Sequence, residues 1–143
     1  MASLVQYVAN GTDTEFSVPF EYISRTDVVV QVAGVNTTFT FLNDSTINLT
    51  STPTSGSTVL IKRETPITAL VDFTDGSTLF EADLDLAHQQ NRLIAEESKD
   101  RADSAISTIN NNINNVNIVA GIASNVTTVA GNTADINSVA TNM

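Results

Sequence analysis

LVDFTDGSTLFEADLDLAHQQNRLIAEESKDR, from Leu70 to Arg101, separates two parts of the chain that differ in composition. Before this stretch, short runs of Val, Ile, Phe and Thr alternate with Gly, Asn and Ser. After it, almost every residue is Asn, Thr, Ser, Ala or Gly, with an apolar residue at every third or fourth place. The stretch itself holds a turn pair, Asp75-Gly76, and good helix formers from Leu84 onward. We therefore expect a β-rich domain that turns sharply into a long helix.

Residues 1–69 have the pattern of short strands separated by turns. The strands are predicted at Leu4–Val8, Phe16–Val18, Val28–Val32, Thr38–Phe41, Thr46–Leu49 and Thr58–Lys62. Turns are expected at residues 33–36 and in the Thr/Pro/Ser/Gly loop 52–56. Short β-rich runs at this spacing are typical of an antiparallel sandwich or barrel-like sheet. The predicted fold class is therefore α+β, with a sandwich-like antiparallel β domain first.

The helix is expected to begin between residues 77 and 83. Thr78 precedes Glu81 by three residues, which is the spacing of a capping box. Glu97 and Arg101 stand four residues apart in the order that favours an ion pair. The apolar positions form a sparse stripe of Leu84, Ala87, Ile94, Ala95, Ala105, Ile106 and Ile109. Such a stripe is too thin to support a lone helix in water, so partners are expected.

Residues 109–143 repeat with a period of ten. Ten residues over three turns give about 3.3 per turn, which overwinds a supercoil, whereas a strict three-four spacing from Val119 also fits. The apolar seam consists of Ile106, Ile109, Ile113, Val116, Val126, Val129 and Ile136. Its flanks of Asn, Thr, Ser and Gly are poor helix formers, so the seam must be buried between copies. β-branched seams favour a parallel trimeric coiled coil, while a fibrous β form or disorder remains open.

The composition limits the classes of function. The length of 143 residues allows one domain of ordinary size with a remainder. Because 15% of the residues are charged and 6% aromatic, a large close-packed core over the whole length is not expected. The net charge of −10 argues against binding to nucleic acid or to anionic membranes, which requires clustered Lys and Arg. There is no cysteine, and neither a signal peptide nor a membrane span is apparent. These features indicate a protein made in the cytoplasm.

Few residues offer chemistry. His88 is the sole histidine, and a polar position on the helix explains it better than catalysis. Near the turn lies an acidic group whose spacing does not match an EF-hand loop, formed by Asp72, Asp75, Asp83 and Asp85. Helix capping and the helix dipole explain these acids better than bound calcium. We expect no catalytic residue, no metal and no cofactor, and hence a structural protein.

The central stretch also resembles a known family. The pattern runs through Leu70–Leu79, Asp83-Leu84, Ala87 with Gln90, and Ala95-Glu96-Glu97 with Asp100. Near the start, DTEFSVPFEY at Asp13–Tyr22 precedes Val28–Val30. Over about residues 1–105, the chain resembles the N-terminal domain of T7-like phage tail fibre proteins. Residues 106–143 resemble instead the Asn/Val-rich shafts of some phage fibres, and we expect a chain that stops inside such a repeat to be part of a longer fibre.

The resemblance implies a homotrimeric podophage virion protein that fastens a host-recognition fibre to the tail. It implies a β-rich tail-attachment domain (1–76), a connecting helix (77–108) and the start of a coiled-coil shaft (109–143). The partners would be tail proteins below the portal, of the adaptor and nozzle type, and only distal fibre would reach the host cell surface. A trimer that meets a tail ring of higher symmetry needs flexible joints, expected near Asp75-Gly76 or at Pro66.

Two groups of residues have alternative interpretations. The corner motif comprises Asp72, Phe73, Asp75 and Gly76. It either fixes the corner between the β domain and the helix or contacts the tail, and the corner is favoured because a turn and capping acids need no partner. Lys62-Arg63-Glu64 is interpreted as a solvated strand end rather than as an ionic contact with a tail protein, since exposed ion pairs contribute little energy.

The alternative function is the stalk and small carbohydrate-binding β head of a trimeric surface adhesin. Such a protein would be secreted, and lectin-like heads usually expose aromatic platforms, whereas this chain has no Trp and two Tyr. A third alternative is a polysaccharide depolymerase, whose activity would lie in downstream sequence.

Overall fold

A computed structural model describes residues 2–76 and 78–142, and of residue 134 the backbone alone. Met1, Ser77 and Met143, at which predicted regions begin or end, lie outside the described residues. The elements are β1 Leu4–Val8, β2 Glu15–Ser17, β3 Val28–Val32, β4 Val35–Asn36, β5 Phe39–Asn43, β6 Thr46–Leu49, β7 Thr58–Arg63 and α1 Glu81–Thr141, with a 3₁₀ turn at Arg25–Asp27. By its contacts the chain forms two compact units, Met1–Arg101 and Ala102–Met143.

The strands of the described residues form two antiparallel sheets. The four-stranded sheet has the order β1-β7-β3-β4, and the three-stranded sheet has the order β2-β6-β5. β7 lies between β1 and β3, with Leu4 opposite Lys62 and Val28 opposite Arg63. The bounds of β1, β3 and β6 agree with the predicted strands. The prediction of antiparallel β structure followed by a long helix is therefore confirmed.

A tight turn at Ala33-Gly34 joins β3 to β4. Both residues have positive φ, 50° and 82°, which is the type I′ geometry that matches the twist of a hairpin. Val32 then pairs with Val35, and Gln31 pairs with Asn36. The turn expected over residues 33–36 is therefore too long, because its second half already pairs as β4.

Both sheets contribute to one hydrophobic core. Its buried residues are Ala9, Phe16, Val18, Phe20, Val28, Val30, Ile47, Leu49, Val59 and Ile61. Aromatic pairs add to it, with ring centroids 5.5 Å apart for Tyr7 and Phe16 and 5.7 Å apart for Tyr22 and Phe41. Alternate residues of β6 and β7 are buried, as strands that cover a core on one face require. The arrangement is sandwich-like.

Helix α1 begins at Glu81, within the expected stretch. The carbonyl oxygen of Phe80 accepts hydrogen bonds from the backbone nitrogens of Asp83 at 3.2 Å and Leu84 at 3.3 Å. Glu81 is therefore the first helical residue, whereas a capping box would make it the third. The predicted box with Thr78 is wrong. The acids of the first turn lie at the positive end of the helix dipole.

Within the first unit, residues 81–101 of α1 have one buried side. Leu93 is completely buried, and Gln90 and Glu97 are nearly so. The apolar stripe predicted for this helix does not include Leu93. In the structure Leu93 is the apolar residue of the segment that is fully buried. The buried side of this segment therefore combines one leucine with polar groups.

The second unit is helical through Thr141, and its described side chains are exposed. Several threonine hydroxyls donate to the carbonyl oxygen four residues earlier, namely those of Thr108, Thr127, Thr128, Thr133 and Thr141. The helical conformation that a coiled coil requires is present, while the trimer stays a prediction. No described helix has both the length and the apolar character of a membrane-crossing segment.

Candidate functional site

The junction between β7, the following residues 64–80 and the first part of α1 contains a group of buried polar side chains. Arg63 is the last residue of β7, and strand alternation places it on the buried side with Val59 and Ile61. The Arg63 side chain has no exposed surface. Its charge must therefore be satisfied within the protein.

Every nitrogen of the Arg63 guanidinium group donates a hydrogen bond. Nε bonds Oε1 of Glu97 at 2.8 Å. Nη2 bonds the carbonyl oxygen of Leu93 at 2.9 Å and Oε2 of Glu96 at 3.3 Å. Nη1 bonds the carbonyl oxygen of Glu21 at 2.5 Å. One side chain thus joins the end of β7 to α1 and to the segment after β2.

The interpretation of residues 62–64 as a solvated strand end is wrong for the central residue. Lys62 and Glu64 remain partly exposed and pair with each other at 2.6 Å. Arg63 is turned inward because successive strand residues point to opposite faces. The signal was present in the sequence, since Val59, Ile61 and Arg63 are alternate residues of one strand.

Glu97 is the main acceptor at the junction. Besides Arg63, its Oε1 accepts from the backbone nitrogen of Thr65 at 3.0 Å and from the Thr65 hydroxyl at 2.6 Å. Arg101 lies 3.6 Å from Oε2, so the predicted pair four residues apart is confirmed. The carboxylate is therefore buried but saturated with donors, which is the condition under which a buried ion pair can be tolerated.

Gln90 holds the segment that follows β7 along the helix. Its Nε2 donates to the carbonyl oxygens of Pro66 at 2.6 Å and Thr68 at 2.7 Å. Its Oε1 accepts from the backbone nitrogen of Leu70 at 3.1 Å. These backbone groups are not paired in either sheet, so the side-chain amide of Gln90 provides the hydrogen bonds that secondary structure provides elsewhere.

Two further contacts join α1 to distant parts of the β domain. Oδ2 of Asp100 accepts from the hydroxyl of Ser3 at 2.6 Å and from its backbone nitrogen at 2.5 Å. These bonds hold the pKa of the Asp100 carboxyl below its ordinary range. Glu21 accepts from Arg92 at 2.8 Å and from Gln89 at 2.5 Å. Hydrogen bonding, chiefly by Arg92, likewise lowers the pKa of Glu21.

The corner motif lies between β7 and α1, and Asp72, Phe73, Asp75 and Gly76 are all exposed. The turn predicted at Asp75-Gly76 is present, and Gly76 adopts a φ of 83°, which glycine reaches without strain. Five large apolar side chains around the motif are exposed, and we call Ile67, Leu70, Phe73, Leu79 and Phe80 the apolar segment. The role of the motif, as corner or as contact, stays a prediction.

The seam residues lie along α1 and are uncovered in a single chain. More than half of each side chain is exposed for Ile106, Ile109, Ile113, Val116, Val126, Val129 and Ile136. Among the described residues, no three His, Asp or Glu side chains are close enough together to hold a metal ion.

Comparison with known proteins gives a consistent group of relatives. A family model described as the phage T7 tail fibre protein, N-terminal domain, matches residues 1–115. The tail fibre protein of Escherichia phage T7 is 38% identical over 119 residues, covering 76% of this chain and 22% of that protein. The tail fibre protein of Enterobacteria phage T3 is 38% identical over 109 residues, covering 68% and 20%.

Some relatives have other names. The capsule K8-specific depolymerase 1 of Klebsiella phage K5-4 is 36% identical over 109 residues, covering 70% of this chain and 14% of that protein. The chain therefore spans about a fifth or less of the length of these three relatives.

Loss of the Arg63 guanidinium should destabilise the first unit strongly. In Arg63→Met the buried Glu97 carboxylate loses its buried cation and keeps only the exposed cation of Arg101 at 3.6 Å. We expect the free energy of unfolding to fall by about 3 kcal/mol, the lower end of the range for a broken buried pair. The control is Arg25→Met, because Arg25 pairs with Asp44 at 2.7 Å in an exposed position and should contribute at most about 1 kcal/mol. Chemical denaturation measures both variants. Equal losses would contradict the role given to Arg63.

Substitution Gln90→Leu should release the segment after β7 without unfolding the sheets. The backbone amide of Leu70 loses its acceptor, so its hydrogen exchange should become faster while the amides of β3 and β7 stay protected. Gln89→Leu is the matched control, because the neighbouring amide bonds Glu21 and not the segment. Exchange measured residue by residue compares the two. Unchanged exchange at Leu70 in Gln90→Leu would show that other contacts hold the segment.

The contact between Ser3 and Asp100 should make stability depend on acid pH. Because the folded-state pKa of Asp100 is lowered, its stabilising effect is complete above the ordinary aspartate value of about 4 and is lost as the pH falls through the lower folded value. Asp100→Asn should remove that part of the acid destabilisation. Denaturation at a series of pH values tests this, with Asp44→Asn as control. An identical pH profile for Asp100→Asn and the parent chain would disprove the contribution.

Proposed function

The chain belongs to the phage T7 tail fibre family through its N-terminal domain, and we propose that it anchors a host-recognition fibre to the phage tail. It is a structural component of the virion tail. In this proposal the β domain docks on tail proteins below the portal, of the adaptor and nozzle type. Helix α1 begins a homotrimeric shaft, and distal fibre makes the contact with the host cell surface.

The apolar segment is the observation that carries the docking proposal. Gln90 fixes the backbone at Pro66, Thr68 and Leu70, and the large side chains along the same segment are nevertheless exposed. A group of exposed apolar side chains of this kind is suited to burial against another protein. Because the backbone between Pro66 and Leu70 is held in advance, less conformational entropy is lost in that part of the segment when the partner binds.

Within the corner motif we assign different roles to two residues. Gly76, with its positive φ, allows the chain to turn before α1. Phe73 supplies the aromatic contact with the tail, because aromatic side chains are enriched among the residues that dominate interface energy. The motif in this view serves both as corner and as contact.

A flexible joint is predicted at Asp75-Gly76 or at Pro66. The carbonyl oxygen of Pro66 is bonded to Gln90, which restrains that position. The turn at Asp75-Gly76 is exposed. The bonds from Arg63 to Glu97 and from Ser3 to Asp100 nevertheless hold residues 81–101 to the β domain, so movement at this turn alone would not reorient the domain relative to that part of the helix. A joint that lets the three β domains of one fibre bind non-equivalent positions on a tail ring of higher symmetry stays a prediction.

Catalysis is not part of the proposed function of this region. The depolymerase of Klebsiella phage K5-4 aligns with the chain over 109 residues, and these cover 14% of that protein. Tail fibre proteins and depolymerases thus have this region in common. We propose that the common region serves attachment and that enzymatic or receptor-binding activity of a longer fibre lies outside it.

Binding of the purified chain to fibreless tails tests the proposal. Phe73→Ser should weaken binding by about 2 kcal/mol, roughly thirtyfold, as expected for a central aromatic contact. Leu42→Ser is the matched control, because Leu42 on β5 has the same exposure as Phe73, 51%. Both variants should retain the unfolding transition of the parent chain.

Two results would overturn this proposal. If the parent chain does not bind fibreless tails at all, the anchoring function is wrong. If Phe73→Ser and Leu42→Ser bind equally well, anchoring stands but the apolar segment is not the docking surface.

A further inference from the structure

The part of α1 inside the first unit has two opposite faces. One face bonds or packs on the β domain and carries Gln90, Leu93, Glu97 and Asp100, at steps of three, four and three residues. The other carries Leu84, His88, Asn91, Ala95 and Ser98, at steps of four, three, four and three, and all five are exposed. With about 100° per residue, Leu93 lies roughly 180° around the helix from Leu84. We call the second set the free face.

We propose that the free face is where copies of this chain pack against one another. The inference deepens the proposed fibre function, because it rests on a homo-oligomeric shaft. It places the first contacts between chains at Leu84, inside the β-domain unit, rather than at the start of the predicted seam at Ile106. The occupant of the free face is therefore a second copy of the chain.

The charge distribution favours a second copy as the occupant. None of the five free-face residues is Asp, Glu, Lys or Arg, although residues 81–101 are otherwise rich in charge. Each copy carries a net charge of −10, so identical surfaces that meet through acidic residues would repel. An uncharged stripe is the part of this helix on which two copies can approach without that penalty.

The spacing of the free face continues along the sequence toward the seam. From Ser98, the same steps of four and three residues reach Ala102, Ala105 and Ile109. Alternating steps of three and four are those of core positions in a coiled coil. Ile109 and Val116 are seam residues on these steps, whereas Ile106 and Ile113 lie one place beyond them, so the free face joins the seam at Ile109 with a shift of one residue on one side of the stripe.

The residue types on the free face fit the beginning of a helical bundle. Ala95, Ser98 and Ala102 are small and allow helices to approach closely. His88 and Asn91 are polar residues at core-type positions, and such residues fix the register and number of strands at some cost in stability. The free face thus supplies specificity, whereas the Ile and Val residues of the seam supply the apolar burial.

Single cysteines test the inference directly, because the chain contains none. Ser98→Cys places a thiol on the free face, and Ser104→Cys is the matched control at an exposed serine that lies off the steps. Val116→Cys reports whether the seam itself associates. After mild oxidation, Ser98→Cys and Val116→Cys should form disulfide-linked pairs on a non-reducing gel, and Ser104→Cys should remain largely unlinked.

Each other outcome overturns the inference in a distinguishable way. If Val116→Cys is linked and Ser98→Cys is not, the chains associate through the seam alone and the oligomeric fibre stands. If Ser98→Cys and Ser104→Cys are linked equally, the linkage reflects random collision. If no variant is linked, the chain does not associate through α1. Tail binding of the parent chain is measured separately, so none of these results depends on the docking surface at Phe73.

Discussion

The buried ion pair between Arg63 and Glu97 is the constraint on which the rest of the first unit depends. A guanidinium group without exposed surface needs a carboxylate nearby, and α1 supplies one at 2.8 Å. Hydrogen bonds are directional, whereas apolar burial is not. The position of the helix on the β domain is therefore set mainly by polar geometry, with Leu93 as its buried apolar support. Thr65 and Gln90 extend the same bonding to the segment after β7.

This constraint also explains which residues carried the resemblance to tail fibre proteins. Gln90, Glu97 and Asp100 stood in the motif, and each of them bonds the β domain or the segment after it. Gln89 and Arg92, which did not carry the resemblance, also bond the β domain, at Glu21. The spacing of Gln90, Glu97 and Asp100 confines them to one side of α1. The opposite side, the free face, makes none of these bonds, and its uncharged residues suit the proposed contact with other copies of the chain. In this view one side of α1 bonds the β domain of its own chain and the opposite side contacts other copies, so the two sets of contacts use different residues.

The sheets were predictable from sequence because most strands are short runs rich in β-branched and aromatic residues, bounded by turn residues. Residues 28–32 and 46–49 are examples in which pattern and structure agree. The candidate site was less predictable, because its bonds join residues far apart in sequence: Arg63 meets Glu97 across 34 positions. The charged residues 62–64 at the end of β7 read the same in sequence whether Arg63 points toward the core or toward solvent. The inward direction becomes clear only when the alternation of buried residues along β7 is continued to Arg63, the last residue of the strand. The capping box failed for another reason, since its spacing is common and the helix simply starts later.

Ser3 and Arg63 lie at neighbouring ends of β1 and β7, and both side chains bond the same stretch of α1. A mechanical load on the helix therefore enters the β domain through two adjacent strands at once. These strands are paired along five residues, and the backbone nitrogen of Arg63 also bonds the carbonyl oxygen of Ser3. Tension along the helix is consequently distributed over the hydrogen bonds of two paired strands rather than carried by a single contact.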